Sequence, residues 1–205
     1  MNTLTFNKHH NFELDYDGNF WGDVIPQDVV RLLDNVIDTF YENLEPDQIL
    51  DKKIKIIHSY KRDRPLNHPR YCTKKSIIYL HVNGKKWDKY TYQFAHELCH
   101  YIIDKLAPEF TVGRFDWLEE SLCELASFFC LKKMSQTWQI NPQYSHWSDC
   151  AICLEKYPEN QGLIQKDKIP TPFVDWLNET LKNYLKNVTC EKKMLLLHRN
   201  CFPFL

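Results

Sequence analysis

Apolar positions recur at helical spacing in three stretches of the chain. Over residues 26–44, Val29, Leu32, Leu33, Val36, Ile37, Phe40 and Tyr41 fall on one side of a helix that Pro26 opens. Residues 90–106 predict a second amphipathic helix, with Phe94, Ala95, Leu98, Ile102 and Leu106 on its apolar side and Pro108 as its stop. Residues 117–133 predict a third, in which Leu118, Leu122, Leu125 and Phe129 form one stripe. Cys123, Ala126, Phe128, Cys130 and Leu131 make this third helix apolar nearly all round, the pattern of a buried helix. The connection 107–116 reads as a loop, with Gly113 as its flexible point and Asp116 as a candidate N-cap.

Shorter runs predict strands at 54–60 and 76–82, the second turned by Asn83 and Gly84. Residues 61–74 carry Pro65 and Pro69 and read as a loop. Residues 1–22 look extended and irregular, anchored by Phe6, Phe12, Phe20 and Trp21. Beyond Lys133 the pattern turns irregular, before helices at about 172–187 and 190–199. This order predicts one α+β domain over 1–205, with a core at about 24–135 and a mostly helical C-terminal part at about 136–205.

The chemistry is concentrated in the second and third helices. His96-Glu97-Leu98-Cys99-His100 places two imidazoles four residues apart, one above the other on one helical face. Two such imidazoles can share a metal ion, and Glu97 beside them can act as general base toward a water at that metal. Catalytic zinc takes three protein ligands and keeps one position open. The third helix offers Glu119, Glu120 and Glu124 for the remaining place, and buried carboxylates must be paired or bind metal. Glu120 and Glu124 share a face, which favours Glu120 as ligand. Glu119 is the rival; its ordinary alternative is a salt bridge or a first-turn charge.

Two helices, the first bearing H-E-x-x-H and the second a glutamate, resemble the gluzincin metallopeptidases, of which thermolysin is a familiar member. The interval from His100 to Glu120 matches the thermolysin pattern, and Trp117-Leu118-Glu119-Glu120 is similar to the W-L-N-E segment of the aminopeptidase branch. That branch, taken literally, would choose Glu119. The likeness covers about residues 75–133. It implies a zincin-like fold with a small mixed sheet, an active-site helix and a glutamate helix. It implies one zinc per chain held by His96, His100 and Glu120, with Glu97 as base. It implies that Glu124 hydrogen-bonds the first histidine and fixes its ring. In that family the strand before the motif helix often edges the cleft, where an extended peptide can pair with it. An oxyanion-stabilising tyrosine or histidine is also implied; Tyr144, His146 and Tyr157 follow the glutamate helix and are the candidates.

Related zinc families fit less well. Metzincins need a third histidine and a glycine where this chain has Leu106 and Ile103, and SprT-type proteases need a histidine that is missing between His100 and His146. ImmA/IrrE-type peptidases are nearer, though their connecting loop is usually longer.

Composition adds limits. Hydrophobic residues make up 43% of the chain and aromatics 14%, which argues against disorder. A net charge of -1 gives no electrostatic case for nucleic acid or an anionic membrane. No run reaches membrane-spanning length and the first residues lack an apolar leader, so the expectation is a cytoplasmic protein with eight reduced cysteines. Cys99, Cys123 and Cys130 read as small core residues; the lone Cys150-x-x-Cys153 reads as packing cysteines on a short helix, the alternative being a redox pair or a second metal site with His146 in helical reach of Cys150. The expected activity is hydrolysis of a narrow protein or peptide substrate. The alternative is a regulatory or binding module with little turnover, against which the intact Glu97 argues because a structural zinc needs no base.

Overall fold

The computed structural model describes residues 2–42, 52–62, 64–106, 116–142 and 145–163. It is an α+β structure, a small mixed sheet with helices packed on one side. The sheet holds β1 (Asn2–Thr5), β2 (Phe12–Tyr16), β3 (Ile54–His58), β4 (Arg70–Cys72) and β5 (Ile77–Leu80), in the order β1-β2-β3-β5-β4. The inner pairs β2/β3 and β3/β5 are parallel, and the outer pairs β1/β2 and β4/β5 are antiparallel. Strand side chains alternate between faces. Registered rows Leu14–Ile56–Ile78 and Phe12–Ile54 therefore bury one face completely, while Glu13, Asp15, Lys55 and Tyr79 stand on the other.

The buried face receives α2 (Pro26–Tyr41) and α3 (Trp87–Leu106), after a short α1 (Gly18–Trp21). Val29, Leu32, Leu33, Val36 and Ile37 of α2 meet Phe94, Ala95, Leu98 and Ile102 of α3 in one continuous core. Gly22 and Gly84 approach closely where the α1 exit crosses the turn before α3. A Cβ on Gly22 would lie 3.1 Å from the Gly84 nitrogen, and Gly84 donates its N–H to the Trp21 carbonyl at 2.8 Å. Then come α4 (Asp116–Ile140), a 3-10 turn (Ser145–Cys150) and α5 (Ala151–Asn160). Trp138 stacks on Trp147 with centroids 4.7 Å apart, and Trp147 also meets Trp87, so the far end of α4 is fastened to the start of α3.

Several sequence expectations need correction. Residues 2–22 are extended as expected at β1 and β2 but regular, forming the β1–β2 pair and α1. The stretch read as a loop contains β4, a three-residue strand too short to show periodicity and preceded by the Pro65 and Pro69 that suggested a loop. As a result β5, the strand before the motif helix, is internal, and β4 is the sheet edge. Helix α3 begins at Trp87 rather than Tyr90, and α4 runs past Lys133 to Ile140, burying Met134 and Trp138. Helix α4, expected to be buried nearly all round, has one side turned outward: Leu122, Leu125 and Phe129 of the predicted stripe are about two-fifths exposed. The buried side is instead Cys123, Glu124, Ser127, Phe128, Cys130, Leu131, Met134 and Trp138. With both sides of the helix apolar, periodicity could not choose between them. The 107–115 loop and the helices expected at 172–187 and 190–199 lie outside the described residues.

Candidate metal centre

Four side chains spaced by one helical turn, Tyr92, His96, His100 and Asp104, line one side of α3 and face a cleft of about 700 Å³. The opposite wall is the β4 edge with His68, Pro69, Arg70, Tyr71 and Thr73. The start of α4 closes the third side with Glu119, Glu120 and Glu124. The core side of α3 is locked by Phe94, Leu98 and Ile102, so the rotation of the helix that buries them also sets both imidazoles toward the cleft.

The donor atoms converge. His96 Nε2 and His100 Nε2 are 3.3 Å apart. Glu120 Oε2 lies 3.2 Å from His96 Nε2, and Glu120 Oε1 lies 3.5 Å from His100 Nε2. Ligands about 2.0–2.1 Å from a tetrahedral zinc stand ~3.3 Å from one another, so these spacings fit one face of such a site. Glu119 takes a different position: its Oε1 is 2.7 Å from His100 Nδ1, the ring nitrogen on the far side from the cluster. A carboxylate on the second nitrogen of a metal-binding histidine fixes ring and tautomer.

The charges are strongly coupled. Burial alone would push the His100 imidazolium down, but Glu120, Glu97 and Glu119 outweigh it and raise its pKa to about 9. Burial would raise Glu120, but His100 and His96 hold it well below the usual carboxylate range. A cation entering such a site takes the place of the protons shared by these groups.

Glu97 is 4% exposed, and its Oε2 accepts the Tyr71 backbone N–H at 2.5 Å. Burial raises its pKa, the direction that brings a carboxylate toward general-base duty near neutral pH. Glu124, 2% exposed, accepts the Tyr92 hydroxyl at 2.5 Å. Burial and the nearby Glu124 hold the Tyr92 phenol protonated, so it stays a donor. His96 Nδ1 is buried without a hydrogen-bond partner, so the contact implied between it and Glu124 is not formed.

The oxyanion candidates stand apart from this cluster. Tyr157 is buried with its ring 5.2 Å from that of Tyr92, and it is not among the side chains lining the cleft. His146 belongs to the 3-10 turn, and Tyr144 lies outside the described residues.

The cleft also contains residues that sequence reasoning passed over. Tyr92 and Asp104 continue the four-residue ladder of the two histidines, so helical spacing alone could have found them. Tyr71, His68 and Arg70 carried no such signal. Cys123 is the other omission: one donor atom from each of His96, His100 and Cys123 lies within 4.8 Å of the others, a group that could hold a metal ion. Glu120 reaches the histidines at shorter range, and burial and the neighbouring Cys99 hold the Cys123 thiol protonated. Two acceptors from α4, the Glu120 carboxylate and the Cys123 thiol, thus stand beside the histidine pair, the carboxylate at the shorter range.

No helix among the described residues is long and apolar enough to cross a membrane. Comparison with protein-family models, with curated proteins and with solved structures finds no match for this chain.

Proposed function

We propose that the protein is a zinc-dependent peptidase of gluzincin type, with His96, His100 and Glu120 as ligands and Glu97 as general base. The observation that supports this reading is the 3.2–3.5 Å approach of His96 Nε2, His100 Nε2 and the two carboxylate oxygens of Glu120, from two helices, with Glu97 one residue away and facing the same cleft. A zinc ion held there supplies a Lewis acid for a substrate carbonyl and lowers the pKa of water. Glu97 takes a proton from the attacking water and returns it to the leaving amine. Its burial keeps its basicity high, and the Tyr71 N–H holds it in place. Glu119 orients His100, and Tyr92 with Glu124 braces the α3–α4 junction behind the cluster. The cleft runs beside the β4 edge of the sheet, which suits an extended peptide.

A binding module of the same fold with little turnover is the second reading. It draws on the deep burial of Glu97 and on the Tyr71 N–H already engaging its carboxylate. Glu97→Gln separates the two. The amide keeps the shape but cannot take the proton, so it should retain about one zinc per chain by elemental analysis and lose hydrolysis of a peptide library. A wild-type protein that holds zinc and cleaves nothing would favour the binding module. A Glu97→Gln variant with most of the wild-type turnover would rule out Glu97 as base.

A further inference from the structure

The sheet face turned away from α2 and α3 carries a second cavity, of about 380 Å³, lined by Lys61, Arg62, Arg64, Cys72, Lys75 and Tyr79. It lies across the β4–β5 hairpin from the candidate metal centre. Tyr71 reaches the metal-side cleft, while its neighbour Cys72 faces this cavity, as strand alternation requires. We propose that this cavity binds the phosphate group of a small phosphate ester.

The first argument is charge. Among the described residues four of the six lining side chains are cationic and none is a carboxylate; Asp63, between Arg62 and Arg64 in the sequence, lies outside the described residues. Lys61 is held by Asp15 at 2.6 Å, which neutralises one of the four. Arg62, Arg64 and Lys75 have no ion pair among the described residues. Cations without an ion pair among the described residues repel one another in so small a space, and a dianion relieves that repulsion better than a monoanion.

The second argument is the hydrogen-bond balance of Arg62. Its guanidinium lies over the Tyr79 ring, 4.8 Å from the centroid, which fixes its plane. Its Nη1 is nevertheless buried without a hydrogen-bond partner. A buried charged donor left unpaired is costly, and an oxyanion is the acceptor that a flat, forked guanidinium matches best. Arg62, partly buried, is thus already oriented with one nitrogen out of water, while Lys75 and Arg64 are exposed.

The third argument is size. The cavity is at the lower end of the range for small-molecule sites and exceeds what a single inorganic anion fills. Cys72 and the Tyr79 ring supply an apolar wall for the organic part of an ester.

The test is calorimetric titration of the full-length protein with phenyl phosphate, inorganic phosphate and acetate at constant ionic strength. Phenyl phosphate should bind saturably, inorganic phosphate more weakly, and acetate at least tenfold more weakly than phenyl phosphate. Arg62→Gln should weaken phenyl phosphate at least tenfold. Lys75→Gln changes an exposed side chain and should fold, so it keeps the test open if Arg62→Gln does not; it should weaken binding about threefold. Zinc content should be unchanged in both variants. Inorganic phosphate binding as tightly as phenyl phosphate would restrict the site to the free anion and overturn the ester assignment. Absence of saturable binding, equal binding of acetate, or phosphate binding insensitive to both substitutions would overturn the site itself.

Discussion

Replacing Glu120 by alanine should weaken zinc binding by roughly two orders of magnitude. Structural zinc sites with four ligands bind with about 10–16 kcal/mol in total, so one ligand accounts for roughly 3 kcal/mol. Glu120 touches both histidine nitrogens, at 3.2 and 3.5 Å, and an alanine there leaves only two imidazoles in the cluster. Glu119 should respond differently, because it acts on His100 through Nδ1 at 2.7 Å. Glu119→Ala should cost about 10- to 100-fold, as outer partners of metal histidines do. Glu119→Gln should recover most of that loss, to within about fivefold of wild type, since an amide oxygen still accepts the ring N–H but less strongly than a carboxylate. Glu120→Gln should not recover comparably, because an amide is a poor zinc ligand. Cys123→Ala should stay near wild type. The assay is competition for zinc against a fluorescent chelator near neutral pH, with circular dichroism to confirm folding of each variant. If Cys123→Ala lost as much affinity as Glu120→Ala, the ligand set would be His96, His100 and Cys123, and the reasoning from donor spacing would be wrong. If Glu119→Ala abolished binding while Glu120→Ala did not, the two glutamates would exchange roles.

Tyr92→Phe removes the hydroxyl that donates to the buried Glu124, and should destabilise the fold by about 1–3 kcal/mol in urea denaturation; an unchanged midpoint would mean that the bond contributes nothing. His58 is 3% exposed, between Phe20, Trp21, Tyr60 and His81, and its Nδ1 accepts the Tyr60 N–H. Burial, and then the neighbouring His81, push its pKa down to about 4, so protonation favours the unfolded chain. Its contribution is complete above the unfolded value near ~6.5 and is lost as pH falls toward about 4, a change of roughly 3 kcal/mol. In His58→Asn the stability should lack this component; parallel pH profiles for variant and wild type would contradict it. On α4, Leu122→Ser on the outward stripe should change stability by no more than about 0.5 kcal/mol, whereas Leu131→Ala on the buried side should cost roughly 2–5 kcal/mol by thermal or urea unfolding. The reverse ranking would mean that the outward stripe is covered.

What could be read from the chain alone was what depends on neighbours within one helix. The four-residue spacing of His96 and His100, with Phe94, Leu98 and Ile102 on the other side, determines that both imidazoles leave α3 together and away from the core. The same rule contains Tyr92 and Asp104. The division of labour between Glu119 and Glu120 was not readable in this way. Adjacent residues point about 100° apart on a helix, and which of them meets the cluster depends on how α4 is rotated against α3. That rotation is decided by packing between helices, which buried Cys123, Phe128, Leu131 and Met134 and turned Leu122, Leu125 and Phe129 outward although both sides are apolar. The edge strand β4 was equally hidden. Three residues show no period, and Tyr71 became part of the site only because pairing with β5 brings its N–H to Glu97. The cationic cavity likewise draws Lys61, Arg62 and Arg64 from one segment and Cys72, Lys75 and Tyr79 from another. Spacing along one helix is written in local covalent geometry, whereas contact between elements depends on which surfaces exclude water together, and only the folded chain determines that.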